Sequence, residues 1–142
     1  MPEQNAENLR RILEVWDPHR DLEAWKQGDS SEVLTLIDPQ VAYEDTVLPD
    51  HVGETYRGHE GIVRATERWL EPFDDFTVEM DRIIGTGDCL VSVHRFRGKA
   101  HHTGIELDGV VAYAWTFRDG KVVHLKSFSA PEEALREAGL DE

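Results

Sequence analysis

The sequence predicts one α+β domain with helices packed on a mostly antiparallel sheet. Three observations predict it. Apolar residues recur at helical spacing through residues 1–36, the period changes to two from Val41 onward, and turn signals divide the second half into four long strands. The chain has 142 residues, 39% hydrophobic and 31% charged, which suits a globular chain and one domain over 1–142.

The elements follow in order. Leu9, Ile12, Leu13 and Trp16 lie on one helical stripe. Asp17-Pro18 interrupts it, because proline is tolerated at the start of a helix and not in its middle. Leu22 and Trp25 continue the stripe, and Gly28 is a natural stop. Ser30 or Ser31 is placed to cap a short piece from Glu32 to Ile37, which Pro39 ends. From Val41 to Val47 alternate residues separate Val41, Tyr43, Asp45 and Val47 from Ala42, Glu44 and Thr46, the pattern of a strand with one apolar face. A loop with Pro49, Gly53 and Gly58 leads to a helix from His59 to Leu70, with Ile62, Ala65 and Trp69 on its apolar stripe. Strands are expected near 76–84, 88–97, 106–117 and 121–129, with turns at Gly85–Asp88, Arg97-Gly98-Lys99 and Asp119-Gly120. A short helix, Pro131 to Leu140, ends near Gly139.

The late strands divide into two sets. Val91, Val93, Ala112, Ala114 and Val122 are small or β-branched and suit a flat face buried by a second copy of the chain, so a homodimer is expected. Leu90, Ser92, His94, Phe96, Val111, Tyr113, Trp115, Phe117, Leu125 and Ser127 are larger and chemically mixed, and suit a cavity covered by helices. Ordinary scattered apolar residues on a solvated face are the bland alternative.

Charge and composition exclude several classes. A net charge of −14, from 15 basic and 29 acidic residues, disfavours nucleic acid and anionic membranes as partners. The single cysteine, Cys89, forbids an internal disulfide and a cysteine-built zinc site. The opening MPEQNAENLRR lacks the apolar centre of a secretory signal, so a cytoplasmic location is expected. The adjacent pair His101-His102 sits at a hairpin end beside Lys99; neighbouring residues on a strand point to opposite faces and cannot easily share one metal, so no metal is expected. Gly85-x-Gly87 precedes no helix and so is no phosphate loop, and no Gly-x-Ser-x-Gly elbow supports a serine hydrolase.

Asp45 is the most informative single residue. A carboxylate on an apolar strand face either finds a partner or takes a raised pKa, which is what a general base near neutrality needs. Its bland reading is a strand-end residue that caps a loop or pairs with an arginine. His94 shares its face with Leu90, Ser92 and Phe96 and is a candidate proton carrier, or else a hydrogen-bonded core histidine. Asp45 and Asp21 are both open as its partner. His59, at a helix start, reads as a structural entry residue. Trp25, Tyr43, Trp69, Phe73, Trp115 and Phe117 are the aromatic candidates for a ligand wall, with Asp21 near Trp25 on one helix face. Trp69 and Trp115 are expected to border one cavity from a helix and a strand.

Local strings carry a resemblance: Gly28-Asp29, Asp38-Pro39-Gln40-Val41 followed by Glu44-Asp45, Tyr56-Arg57-Gly58-His59-Glu60-Gly61-Ile62, the run Trp115 to Val123, and Glu133-Ala134-Leu135 ending at Ala138-Gly139-Leu140. With the element order they resemble a SnoaL-like domain of the nuclear-transport-factor-2-like superfamily, which includes ketosteroid isomerases and polyketide cyclases. The resemblance implies a curved sheet wrapped into a cone around a pocket, closed by the N-terminal helices, and a dimer through the outer sheet face. It puts Asp45 on the position of the isomerase base, Tyr113 near a donor to a developing oxyanion, and Asp21 near another such donor, a role an ionised aspartate cannot fill. It implies cofactor-free proton transfer beside a carbonyl — isomerisation, cyclisation or dehydration — on an apolar cyclic ligand. A non-catalytic ligand-binding or dimerisation module of the same fold remains the alternative.

Overall fold

The computed structural model describes residues 2–16, 18–27, 32–46, 54–85 and 87–140. Three helices come first: α1 (Pro2–Val15), α2 (Pro18–Lys26) and α3 (Glu32–Thr35). Strand β1 (Ile37–Asp45), strand β2 (Glu54–Arg57) and helix α4 (Gly58–Leu70) follow. Four strands, β3 (Phe73–Ile84), β4 (Cys89–Ala100), β5 (Glu106–Arg118) and β6 (Lys121–Phe128), precede the closing helix α5 (Pro131–Ala138). The six strands form one curved, unclosed sheet in the order β2-β1-β6-β5-β4-β3. Among the described residues only the β1–β6 pairing is parallel.

The alternation in β1 comes out as burial: Val41, Tyr43 and Asp45 are buried, while Ala42 and Glu44 are half-exposed. Leu9, Ile12, Trp25, Val33, Leu34, Ile62 and Ala65 bring all four leading helices onto the concave face of the sheet, against Leu90, Trp115 and Phe117. α2 restarts at Pro18 as the proline rule requires. α5 ends on Gly139, whose φ of 72° is the left-handed conformation glycine adopts without cost. The expected stop at Gly28, the caps at Ser30 or Ser31, the strand position Val47 and the loop residues Pro49 and Gly53 lie outside the described residues.

Several expectations are corrected. β1 begins at Ile37 and runs through Pro39. The β1–β6 register shifts between Ile37 and Ala42, so no ladder bond is demanded at the proline. β2 falls in the stretch expected to be loop; it is four residues, too short to display a period, and pairs antiparallel with the end of β1. Arg97-Gly98-Lys99 is no turn but part of β4, which continues to Ala100. A Cβ on Gly98 would come within 2.8 Å of the Phe73 ring, so the glycine marks a close crossing. Val122 joins the concave core, because a register shift between Thr116 and Phe117 pairs it with Phe117.

The largest correction concerns the small-residue face. Val91, Val93, Ala112 and Ala114 are buried within this chain, under Ala134 and Leu135 of α5 together with Phe128. No second copy is needed to cover them. The uncovered part of the convex face is charged instead: exposed Arg95 lies between Glu79 and Val110, and exposed Arg97 between Thr77 and Asp108.

Candidate functional site

The helices and the sheet line a half-open cavity of about 90 Å³. Its wall is almost wholly apolar and is assembled from every layer. Ile12, Leu13 and Trp16 come from α1, Trp25 from α2, Ile62, Ala65 and Trp69 from α4, and Phe76, Val111, Trp115 and Leu125 from the sheet. The polar side chains reaching this wall are Tyr43, Thr66, His94 and Tyr113. Thr66 spends its hydroxyl on the Ile62 carbonyl one turn back, at 2.9 Å. That leaves the two tyrosines and the histidine to face a ligand.

His94 is 2% exposed and stands at mid-strand in β4, opposite Val111. Its Nε2 lies 2.8 Å from Ser92 Oγ, which also receives the Trp115 indole N–H at 2.8 Å. Burial alone pushes the imidazole down to about 4 from its ordinary 6.5, so the ring is neutral at physiological pH. The Tyr113 ring meets it edge-on with centroids 5.4 Å apart. Neither candidate aspartate reaches this histidine; its ring bonds Ser92.

The tyrosines form a second polar group. Trp69 Nε1–H donates to the Tyr43 hydroxyl at 3.3 Å, with Ser127 and Tyr113 beside it. Burial raises both phenols well above their usual range, and the nearby Asp45 charge raises them further. Tyr43 is also raised by Tyr113. Both therefore stay protonated and can act as donors.

Asp45 is 1% exposed but does not line the cavity. Its Oδ1 accepts from the Ser127 hydroxyl at 3.2 Å. The Thr46 N–H bonds the same Oγ at 3.2 Å, and the Thr46 hydroxyl donates to the Ser127 carbonyl. The carboxylate thus stands behind Ser127, close enough to the two tyrosines for its charge to act on both. Asp21 is buried on α2 and Phe117 is buried in the concave core, both off the cavity wall. Phe73 is half-buried beside Phe76 and Phe96, also off the wall. Trp25, Tyr43, Trp69, His94, Tyr113 and Trp115 do line it, Trp69 from α4 and Trp115 from β5.

Sequence reasoning assigned no role to Ser92 and Ser127. Their signal was present, since both alternate onto the same face as His94 and Tyr113, but a serine on a strand face names no partner by itself. His59 is structural: its Nε2 meets the Ile37 carbonyl at 2.7 Å and ties the start of α4 to β1. Among the described residues no three His, Cys, Asp or Glu side chains converge to hold a metal ion, and no helix is long and apolar enough to cross a membrane.

A six-stranded curved sheet folded over an apolar cavity, with helices closing its concave side, defines a nuclear-transport-factor-2-like cone. Solved structures bear this out. A nuclear-transport-factor-2-like protein of unknown function from Burkholderia pseudomallei is 20% identical, superposes with a TM-score of 0.66, and is matched over 95% of this chain and 97% of its own. One from Burkholderia thailandensis is 27% identical over 84% of this chain and 91% of its own, with a TM-score of 0.62. A protein of ketosteroid-isomerase-like fold from Catenulispora acidiphila, solved in complex with trimethylamine, is 17% identical over 77% and 81% of the two chains, with a TM-score of 0.59. The SnoaL-like domain profile matches residues 9–125, and the chain belongs to that family. No curated protein matches it.

Proposed function

We propose that the chain binds a small, uncharged, largely apolar molecule in the cavity between α4 and the sheet. The observation that supports this most is the wall itself: apolar and aromatic on all sides, with Tyr43, Tyr113 and neutral His94 as its ligand-facing polar groups. Such a wall excludes ions, since a charge there would lose its hydration without a counter-charge. Size narrows the class. An engineered apolar cavity of about 150 Å³ holds benzene, so about 90 Å³ suits an acyclic molecule or one small ring.

The enzymatic version of this reading rests on Tyr113 and His94 sharing the cavity wall, with the Asp45 charge acting on Tyr113 from behind. In it Tyr113 donates its hydroxyl hydrogen to a developing enolate oxygen, His94 orients the carbonyl, and Asp45 fixes Ser127 beside Tyr43. The reaction is then isomerisation, cyclisation or dehydration without a cofactor. A homodimer and a cytoplasmic setting belong to the same reading. The dimer would form on the uncovered convex strip, where Arg95 and Arg97 of one copy can meet Glu79 and Asp108 of the other.

Native mass spectrometry of the purified protein, followed by titration with small cyclic ketones while tryptophan emission is read, tests the binding. Retained ligand or saturable quenching from Trp25, Trp69 and Trp115 is expected. The absence of both retained mass and saturable quenching would refute it. With a turned-over ligand in hand, Asp45→Asn should abolish turnover while leaving binding; undiminished turnover would remove Asp45 from the mechanism. Sedimentation at low and high salt tests the dimer, which should weaken as salt screens the strip.

A further inference from the structure

The polar atoms around His94 balance in one way only. The Trp115 Nε1–H is a donor and nothing else, so Ser92 Oγ accepts from it at 2.8 Å. Ser92 is fully buried and has one hydroxyl hydrogen to place. The acceptor within reach is His94 Nε2, at 2.8 Å. If Nε2 instead carried the hydrogen, Ser92 would accept twice and its own O–H would be left without a partner in a dry interior, the costly outcome. Nε2 is therefore the lone-pair nitrogen, and the hydrogen of the neutral ring sits on Nδ1.

Nδ1 has no hydrogen-bond partner among the described residues. Yet no fully buried side-chain nitrogen or oxygen lacks one among the described residues, so Nδ1 keeps some open surface. His94 is 2% exposed overall and lines the cavity, which makes that surface the cavity wall.

We propose that the Trp115–Ser92 pair locks His94 as the Nδ1–H tautomer, giving the cavity a fixed, neutral N–H donor that selects ligands carrying an oxygen acceptor, such as small ketones, over hydrocarbons of the same shape. His94 is then a specificity-determining residue, and Ser92 and Trp115 are positioning residues that act through it. The cavity-facing nitrogen already holds its proton, so His94 orients a carbonyl and does not abstract a proton from the ligand. The depressed basicity of the buried ring agrees with this, since it keeps a second proton off Nε2. The ligand selection rests on the binding reading above; the tautomer does not.

The test uses the full chain labelled with ¹⁵N-histidine. Long-range ¹H–¹⁵N correlation spectra near neutral pH should show a pyrrole-like Nδ1 and a pyridine-like Nε2 for His94, assigned by loss of the signals in His94→Gln. The reverse pattern would overturn the proposal. Ser92→Ala should move the ring toward Nε2–H or an averaged mixture, and Ser92→Thr, which keeps a hydroxyl, should restore the wild-type pattern. If Ser92→Ala does not fold, Trp115→Phe loosens the same lock and should give averaged signals. An unchanged tautomer in the folded variant would show that the pair is not the lock. Cyclopentanone and methylenecyclopentane, equal in shape, are then titrated against the His94 signals. The wild type should prefer the ketone, and Ser92→Ala should lower that preference at least fivefold; no preference in the wild type would overturn the selectivity. If neither probe binds while the Nδ1–H pattern is present, the binding reading and the selectivity fall while the tautomer stands.

Discussion

Titration of His94 should appear as a stability change on the acidic side of neutrality. The perturbation is His94→Gln, which keeps an acceptor near Ser92 and removes the titrating ring. In the folded protein burial holds the imidazole near 4, against 6.5 in the unfolded chain. Between those values the unfolded chain binds a proton that the folded protein refuses, so stability falls as pH falls. The contribution is whole above 6.5 and is lost progressively toward 4. At 1.36 kcal/mol per decade the full loss is about 3 kcal/mol. About 1 kcal/mol should be gone by about pH 5.5, and about 2 kcal/mol by about pH 5. The assay is urea unfolding of both proteins from about pH 7.5 to about pH 5. Carboxylates elsewhere act equally on both and cancel in the difference. The wild-type advantage should shrink by the stated amounts, with the urea slope unchanged. Parallel stability curves would refute the reasoning, for they would mean that His94 is hydrated or paired with an anion in solution.

Three further outcomes are expected. Leu135→Ala should cost about 2–4 kcal/mol in urea unfolding, because Leu135 helps α5 cover Val91, Val93, Ala112 and Ala114; a loss near zero would mean that α5 does not close this face. Gly61→Ala should destabilise by about 1–3 kcal/mol, although alanine is the better helix former by about 1 kcal/mol. Its Cβ would fall 2.8 Å from the backbone carbonyl carbon of Tyr56, which cannot move without dragging β2; a stabilised variant would show that it can. Tyr43→Phe should lower the melting temperature by several degrees, since the buried Trp69 N–H loses its acceptor. Unchanged melting would show that this N–H finds another partner.

Much of the fold was legible in the chain itself. Helical stripes such as Leu9–Ile12 and Ile62–Ala65–Trp69, and the two-residue period of Val41–Tyr43–Asp45, are local properties that a single element expresses before any packing. The turn at Asp119-Gly120 and the stop at Gly139 are legible for the same reason, as each depends on backbone conformation over a few residues. The aromatic face of β5 likewise announced a cavity wall. What stayed hidden depends on pairs distant in sequence. Gly98 looked like a turn because its meaning lies in Phe73, 25 positions earlier and on the neighbouring strand. Val122 changed faces because a register shift in β5–β6 is set by the whole sheet. The small-residue face looked like a dimer surface because nothing in its own strands tells that α5 returns to cover it. Asp45 showed its burial in the alternation but not its place behind Ser127 and the tyrosines, since direction along a curved sheet is a tertiary quantity. His94 could be placed on the correct face by counting; the atoms that decide which of its nitrogens holds the hydrogen, Ser92 Oγ and Trp115 Nε1, meet only once β4 and β5 are side by side.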